Sequence, residues 1–114
     1  MTTEATPYIN LHVDNFTDSV LHNSQPVLVD FWASWCGPCQ VMNPVVTDLA
    51  QEFQGRVTIG KVNVDEQGQL AGQYHIQSIP SFLIFKDGKV IQQLTGAIPK
   101  QVLVNTLDAA LQAA

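Results

Sequence analysis

The sequence predicts an α/β domain: a central mixed sheet of about five strands, with about four helices packed on both of its faces. Three observations lead there. Short apolar stretches with strand character alternate with segments whose apolar residues recur every three or four positions, the mark of amphipathic helices. Helices between the early strands call for parallel crossovers. Late in the chain, Asp87-Gly88 between two apolar stretches marks a hairpin and so an antiparallel pair.

In chain order, residues 1–7 form a tail ahead of the domain, which spans 8–114. Tyr8 to His12 alternates Ile9, Leu11 and Val13 with polar neighbours, a short strand. Asp14 or Asn15 then caps a helix carrying Phe16, Val20 and Leu21, which Gln25-Pro26 ends. Val27 to Ala33 is almost continuously apolar, as a strand covered on both faces should be. A second helix runs from Cys36 to about Gln54, its apolar stripe made of Met42, Val45, Val46, Leu49, Ala50 and Phe53. Pro44 lies within that helix and predicts a kink; Gly55 closes it. A third strand over Val57–Val64, a short helix over Asp65–Tyr74 and a fourth strand over Ser81–Phe85 follow. The hairpin leads into Val90–Leu94, and Pro99 opens a last helix with Leu103, Leu107, Ala110 and Leu111 inward.

At 114 residues, 46% apolar and 13% charged, the chain has the means to bury a core without disulfides. A net charge of −5 argues against a nucleic-acid partner, which requires a basic face. No stretch approaches the length of a membrane span. Residues 1–10 lack the cationic and apolar regions of a secretory signal, so the expected compartment is the reducing cytoplasm.

The two cysteines stand in Trp35-Cys36-Gly37-Pro38-Cys39, at the start of the second helix. At i and i+3 on one helical turn they can close into a disulfide and reopen with little backbone movement. One sulfur can attack a substrate disulfide and the other can complete the exchange. A structural staple is the first alternative, but so short a loop gains little from being closed. A zinc site is the second, but it needs four ligands, and His12, His22 and His75 lie far apart in sequence. Redox chemistry is the reading the pattern favours, with no metal.

The stretch Val29-Asp-Phe-Trp-Ala-Ser-Trp-Cys-Gly-Pro-Cys39, with Pro44, Lys61-Val-Asn-Val-Asp65, Ile79-Pro80, Lys86-Asp-Gly88 and Gly96, closely resembles the thioredoxin family. The resemblance runs from about Tyr8 to the C-terminus. It implies the thioredoxin fold and a protein-disulfide reductase, re-reduced by a separate thioredoxin reductase. It also implies oxidised protein substrates such as ribonucleotide reductase, peroxiredoxins and methionine sulfoxide reductases. No nucleotide fingerprint occurs, so no bound cofactor is expected; the expected state is a monomer.

By that resemblance Cys36 is the nucleophile, at a helix N-terminus that favours its thiolate, and Cys39 is the resolving thiol. Gly37 and Pro38 help set the redox potential, as in the reducing members. Asp30 interrupts an apolar strand, where burial should raise its pKa. It matches the carboxylate that accepts the proton of the second cysteine, unless it lies solvated at a sheet edge. Lys61 matches the lysine beside that carboxylate; the alternative is an exposed strand lysine. Ile79-Pro80 is expected to be cis and, with Trp35 and Gly96, to form the substrate groove. Trp32 is read as aromatic core.

The chain departs from the family pattern at three places that bear on partner choice. Gln40 stands where a Lys or Arg is usual, Ser81 where Thr follows the proline, and Ser78 where a small residue, often Gly, precedes it. His75 is read as a solvated loop residue. Two other functions compete: a docking module that needs no cysteines, and an oxidant or isomerase. The intact cysteine pair speaks against the first, and Gly37-Pro38 against the second.

Overall fold

A computed structural model of the chain describes residues 7–113, so the expected tail lies, but for Pro7, outside the described residues. Five strands, β1 (Ile9–Asn10), β2 (Val27–Trp32), β3 (Thr58–Asn63), β4 (Ser81–Lys86) and β5 (Lys89–Thr95), form one sheet in the order β1-β3-β2-β4-β5. The first three run parallel, while β4 is antiparallel to both β2 and β5. Three helical segments connect them, α1 (Val13–Phe16, continuing as a π-type turn over Thr17–Leu21), α2 (Gly37–Glu52) and α3 (Gly68–Gln73), and a fourth, α4 (Lys100–Gln112), follows the last strand.

The period-two alternation of the strands divides the core into two layers. Leu28, Ile59, Phe82 and Ile84 face α2 and α4, where Met42, Val46, Leu49, Leu103 and Leu107 meet them. Val27, Val29, Phe31, Val62, Leu83 and Phe85 face the other way, onto Phe16 and Val20 of the first helical segment and Leu70 of α3. β2 is therefore buried on both sides, which explains why it reads as one apolar run. Its even-numbered residues point at α2, and Asp30 is one of them.

The helix stripes fall where periodicity predicts them, with Val45 and Leu111 half-buried at their margins. The first cap differs from expectation. The N-cap is His12, and Asn15 accepts the His12 backbone N–H at 2.8 Å from the third helical position. An amide side chain there can reach back and satisfy a donor ahead of the helix, so Asn15 takes the other half of a capping arrangement. α2 ends at Glu52, and Gly55, with φ of 86°, completes the turn beyond it. The hairpin is as predicted: Asp87 and Gly88 have φ of 53° and 78°, the left-handed pair of a type I′ turn.

Candidate active site

β2 ends at Trp32, and the chain turns through Ala33-Ser34-Trp35 into α2, so the cysteines stand where a strand hands over to a helix. Cys36 is the helix N-cap. Its sulfur accepts the Cys39 backbone N–H at 3.2 Å, so the sulfur satisfies a donor that the first turn leaves without an intrahelical partner. Pro38 falls in the first turn, where its missing N–H costs no helix bond. Cys36 and Cys39 form a disulfide with Cα atoms 5.2 Å apart. Both are buried against Ala33, with Trp32, Val64 and Ile79 packed around them.

The predicted groove residues come together around this pair. The Ile79–Pro80 bond is cis, and the Ile79 carbonyl oxygen lies 3.8 Å from Cys36 Sγ. Gly96 donates its N–H to the Pro80 carbonyl at 2.8 Å. With φ of 88°, it holds a backbone conformation that strongly favours glycine. Trp35 is 69% exposed and forms one wall of an open groove of about 200 Å³ with Val64, Ile76, Gln77, Ser78 and Ile79. Its indole N–H donates to Asp65 at 2.8 Å, so a large apolar plate is held out in solvent in a fixed orientation.

β2 and β3 also carry a buried ionisable pair. In the parallel register of β2 and β3, Asp30 sits beside Lys61. Asp30 is 2% exposed and Lys61 6%, which excludes both the solvated-edge carboxylate and the exposed strand lysine. Burial pushes the Asp30 carboxyl up to about 7, an effect the nearby Lys61 charge reduces but does not cancel. Burial also lowers Lys61, against the pull of Asp30. Yet they make no hydrogen bond: one Asp30 carboxyl oxygen is buried with no partner, and the Lys61 ammonium donates instead to Asn43 Oδ1 at 2.9 Å. The rings of Trp32 and Tyr8 flank that ammonium at 4.7 and 4.9 Å. Trp32 is thus half-buried between the lysine and the sulfurs, more than core filling.

The three departures each have a local role. Gln40 donates to the Ser34 carbonyl at 2.8 Å, bracing the loop that carries Trp35. Ser81 is buried and donates to the Ser78 carbonyl at 2.6 Å, closing the turn around Pro80. Ser78 itself lines the groove. His75 is exposed, with φ of 55° at the turn after α3.

Sequence reasoning missed Asn43 and Asp65 as site residues. Asn43 carried a signal: it lies four residues after Cys39 and three before Val46, a polar residue on the inward side of α2. Asp65 stands within the quoted Lys61–Asp65 stretch, but its partner, Trp35, is 30 residues away.

Comparison with known proteins agrees with this geometry. The thioredoxin family model matches residues 7–109. A thioredoxin of Chlorobaculum thiosulfatiphilum is 50% identical over 94 residues, covering 82% of this chain and 87% of that protein. Thioredoxin 1 of Synechococcus elongatus is 53% identical over 93 residues, with the same coverage. The chloroplastic M-type thioredoxin of Chlamydomonas reinhardtii is 45% identical over 95 residues, 83% of this chain and 68% of its own. A five-stranded mixed sheet, a disulfide-forming Cys36–Cys39 pair at the head of α2, and relatives of this similarity over most of its length make the chain a member of the thioredoxin family.

Proposed function

We propose that Cys36 is the nucleophile and Cys39 the resolving thiol of a protein-disulfide reductase, the activity that membership of the thioredoxin family gives this chain. The chain carries electrons by dithiol/disulfide exchange and is re-reduced by a thioredoxin reductase. In the first step the Cys36 thiolate attacks one sulfur of the substrate disulfide. A Cys36–substrate bond forms, the substrate S–S bond breaks, and the first substrate thiolate leaves and takes a proton. In the second, Cys39 gives its proton to Asp30 and attacks Cys36 Sγ. The Cys36–Cys39 bond forms and the second substrate sulfur departs. Two electrons have moved to the substrate.

What supports this division is the helix start. Backbone N–H groups and the helix dipole favour negative charge on the sulfur at the N-cap, the position Cys36 holds. Gly37 and Pro38 add no side-chain proton donor there, and Pro38 stiffens the link between the sulfurs. The Asp30 environment supports its role as proton acceptor, because a carboxyl titrating near 7 can both take and release a proton at neutral pH. Lys61 tunes that carboxyl. Trp35, Ile79, Pro80 and Gly96 form the docking surface: an apolar plate, and backbone groups beside the sulfur for pairing with an extended substrate chain.

The acceptors we assign are cytoplasmic proteins with accessible disulfides, among them ribonucleotide reductase, peroxiredoxins and methionine sulfoxide reductases. The observation that carries the proposal is the placement of Cys36 at the N-cap with its sulfur beside the Ile79 carbonyl. Its test is reduction of insulin disulfides by NADPH and thioredoxin reductase, in wild type, Cys36→Ser and Cys39→Ser. The expected result is turnover lost in both variants, with a trapped substrate adduct only in Cys39→Ser. An adduct trapped by Cys36→Ser instead would reverse the two roles.

A further inference from the structure

The buried lysine and aspartate of this chain are neighbours that do not bond. Their Cα positions are paired across β2 and β3, both side chains are nearly inaccessible, and one Asp30 oxygen has no hydrogen-bond partner. Two opposite charges so placed in a poorly polarisable interior are expected to close on each other, since nothing else there compensates the carboxylate. The ammonium is instead held from α2. Asn43 Oδ1 accepts from Nζ at 2.9 Å, and Trp32 and Tyr8 offer ring faces. A neutral amide and two aromatic faces stabilise the cation without supplying an anion.

We propose that Asn43 is a positioning residue that holds the Lys61 ammonium off Asp30, keeping the Asp30 carboxyl free to exchange its proton with Cys39. The proposal rests on the reading of Asp30 as proton acceptor and adds the element that governs it. A carboxylate in direct contact with an ammonium becomes a weak base, because the contact stabilises its charged form. Proton transfer from Cys39 requires the opposite, a carboxyl that binds a proton near neutral pH. The titratable groups seen at the pair are Asp30 on β2, Lys61 on β3 and Tyr8 ahead of β1, whose ring flanks the ammonium; the proposed proton donor, Cys39, stands at the head of α2. Asn43 is the polar side chain that α2 contributes to the ammonium. Its amide carries no charge, so it anchors Lys61 without adding a second anion to the site.

The test uses two variants with opposite expected signs. Asn43→Ala releases the ammonium, which then pairs with the unpartnered Asp30 oxygen. Asn43→Asp holds the ammonium more tightly, neutralises it as seen from Asp30 and adds a like charge. The Asp30 carboxyl is titrated directly by carbon-13 NMR in the full chain, reduced and oxidised. The rate at which Cys39 resolves a mixed disulfide is followed against pH in the same proteins and in Asp30→Asn. The midpoint is expected to fall by roughly 1 pH unit in Asn43→Ala and to rise in Asn43→Asp, with the rate profile moving in step. Midpoints that stay at the wild-type value in both variants overturn the proposal, even if both lose stability, because a purely packing role for Asn43 predicts that result. Midpoints that move as expected, while the rate profile ignores both them and Asp30→Asn, sustain the steering of Lys61. They remove instead the reading of Asp30 as proton acceptor.

Discussion

Near neutral pH the Asp30 side chain stands close to the midpoint of its titration, about 7, against 3.8 for a carboxyl in an ordinary setting. The sign of the resulting stability change is fixed by linkage. The folded state binds this proton more tightly than the unfolded chain, so the contribution of Asp30 is at its best below about pH 4. It is lost progressively as pH rises to about 7, and beyond that the fold bears the full cost of a buried charge, on the order of 4 kcal/mol. Asp30→Asn should therefore match wild type in urea denaturation near pH 4 and exceed it by several kcal/mol at pH 8. A difference that does not vary with pH would mean that the carboxyl does not change its protonation across this range. Trp35 offers a second prediction at this scale. Removing its indole acceptor with Asp65→Ala should raise the half-saturating concentration of a protein disulfide about 3- to 5-fold, the loss of roughly one hydrogen bond. Reactivity toward a small disulfide should not change. Equal effects on both substrates would place Asp65 in the chemistry of the sulfurs, outside docking.

Among the elements, the end of the first helical segment is fastened to β3 by side chains. Asn23 donates to the Ser19 carbonyl and to Thr58 Oγ1, each at 2.9 Å, and Thr58 in turn donates to Gln25 Oε1 at 3.1 Å. Asn23→Ala should cost about 1–2 kcal/mol in urea denaturation, with the denaturant dependence unchanged. A loss within experimental error would show that water replaces these bonds at no cost. Elements of this kind were legible in the sequence as far as periodicity reaches. The even apolar stretch of β2, the stripe of α2 and the Asp87-Gly88 turn carry their own geometry, so order and faces follow from them. The polar partnerships were not legible. Asn43 meets Lys61 only because β3 lies beside β2 in a particular register and α2 crosses the same face, and that information belongs to no local stretch. The first cap was misplaced for the opposite reason. Asn15 is a good cap by type, but its amide serves equally well by reaching back to His12.

The molecule as a whole carries a net charge of −5, and the residue directly after Cys39 is the uncharged Gln40. Long-range attraction to acidic partners is correspondingly absent, and the groove beside Trp35, the docking surface proposed above, is lined by uncharged residues. The reduction rate of an acidic disulfide peptide should rise when salt is increased from low to physiological strength, and that of a basic peptide should fall, because screening removes repulsion in one case and attraction in the other. The same salt response for both peptides would mean that the net charge has no influence at the groove. Gln40→Lys should reduce the gap between the two peptides and leave its salt dependence the same in sign.

The groove also draws on distant parts of the chain. Its sulfur arrives from the end of β2 and its facing carbonyl from the approach to β4, 43 residues further on, brought together only when those two strands pair antiparallel. A chain whose sheet has not closed has two ordinary thiols, with neither the Ile79 carbonyl beside them nor Asp30 buried. On the proposed mechanism such a chain lacks both the surface that would select a substrate and the carboxyl that would take the Cys39 proton, so exchange at its thiols should be no faster than at those of an unstructured peptide.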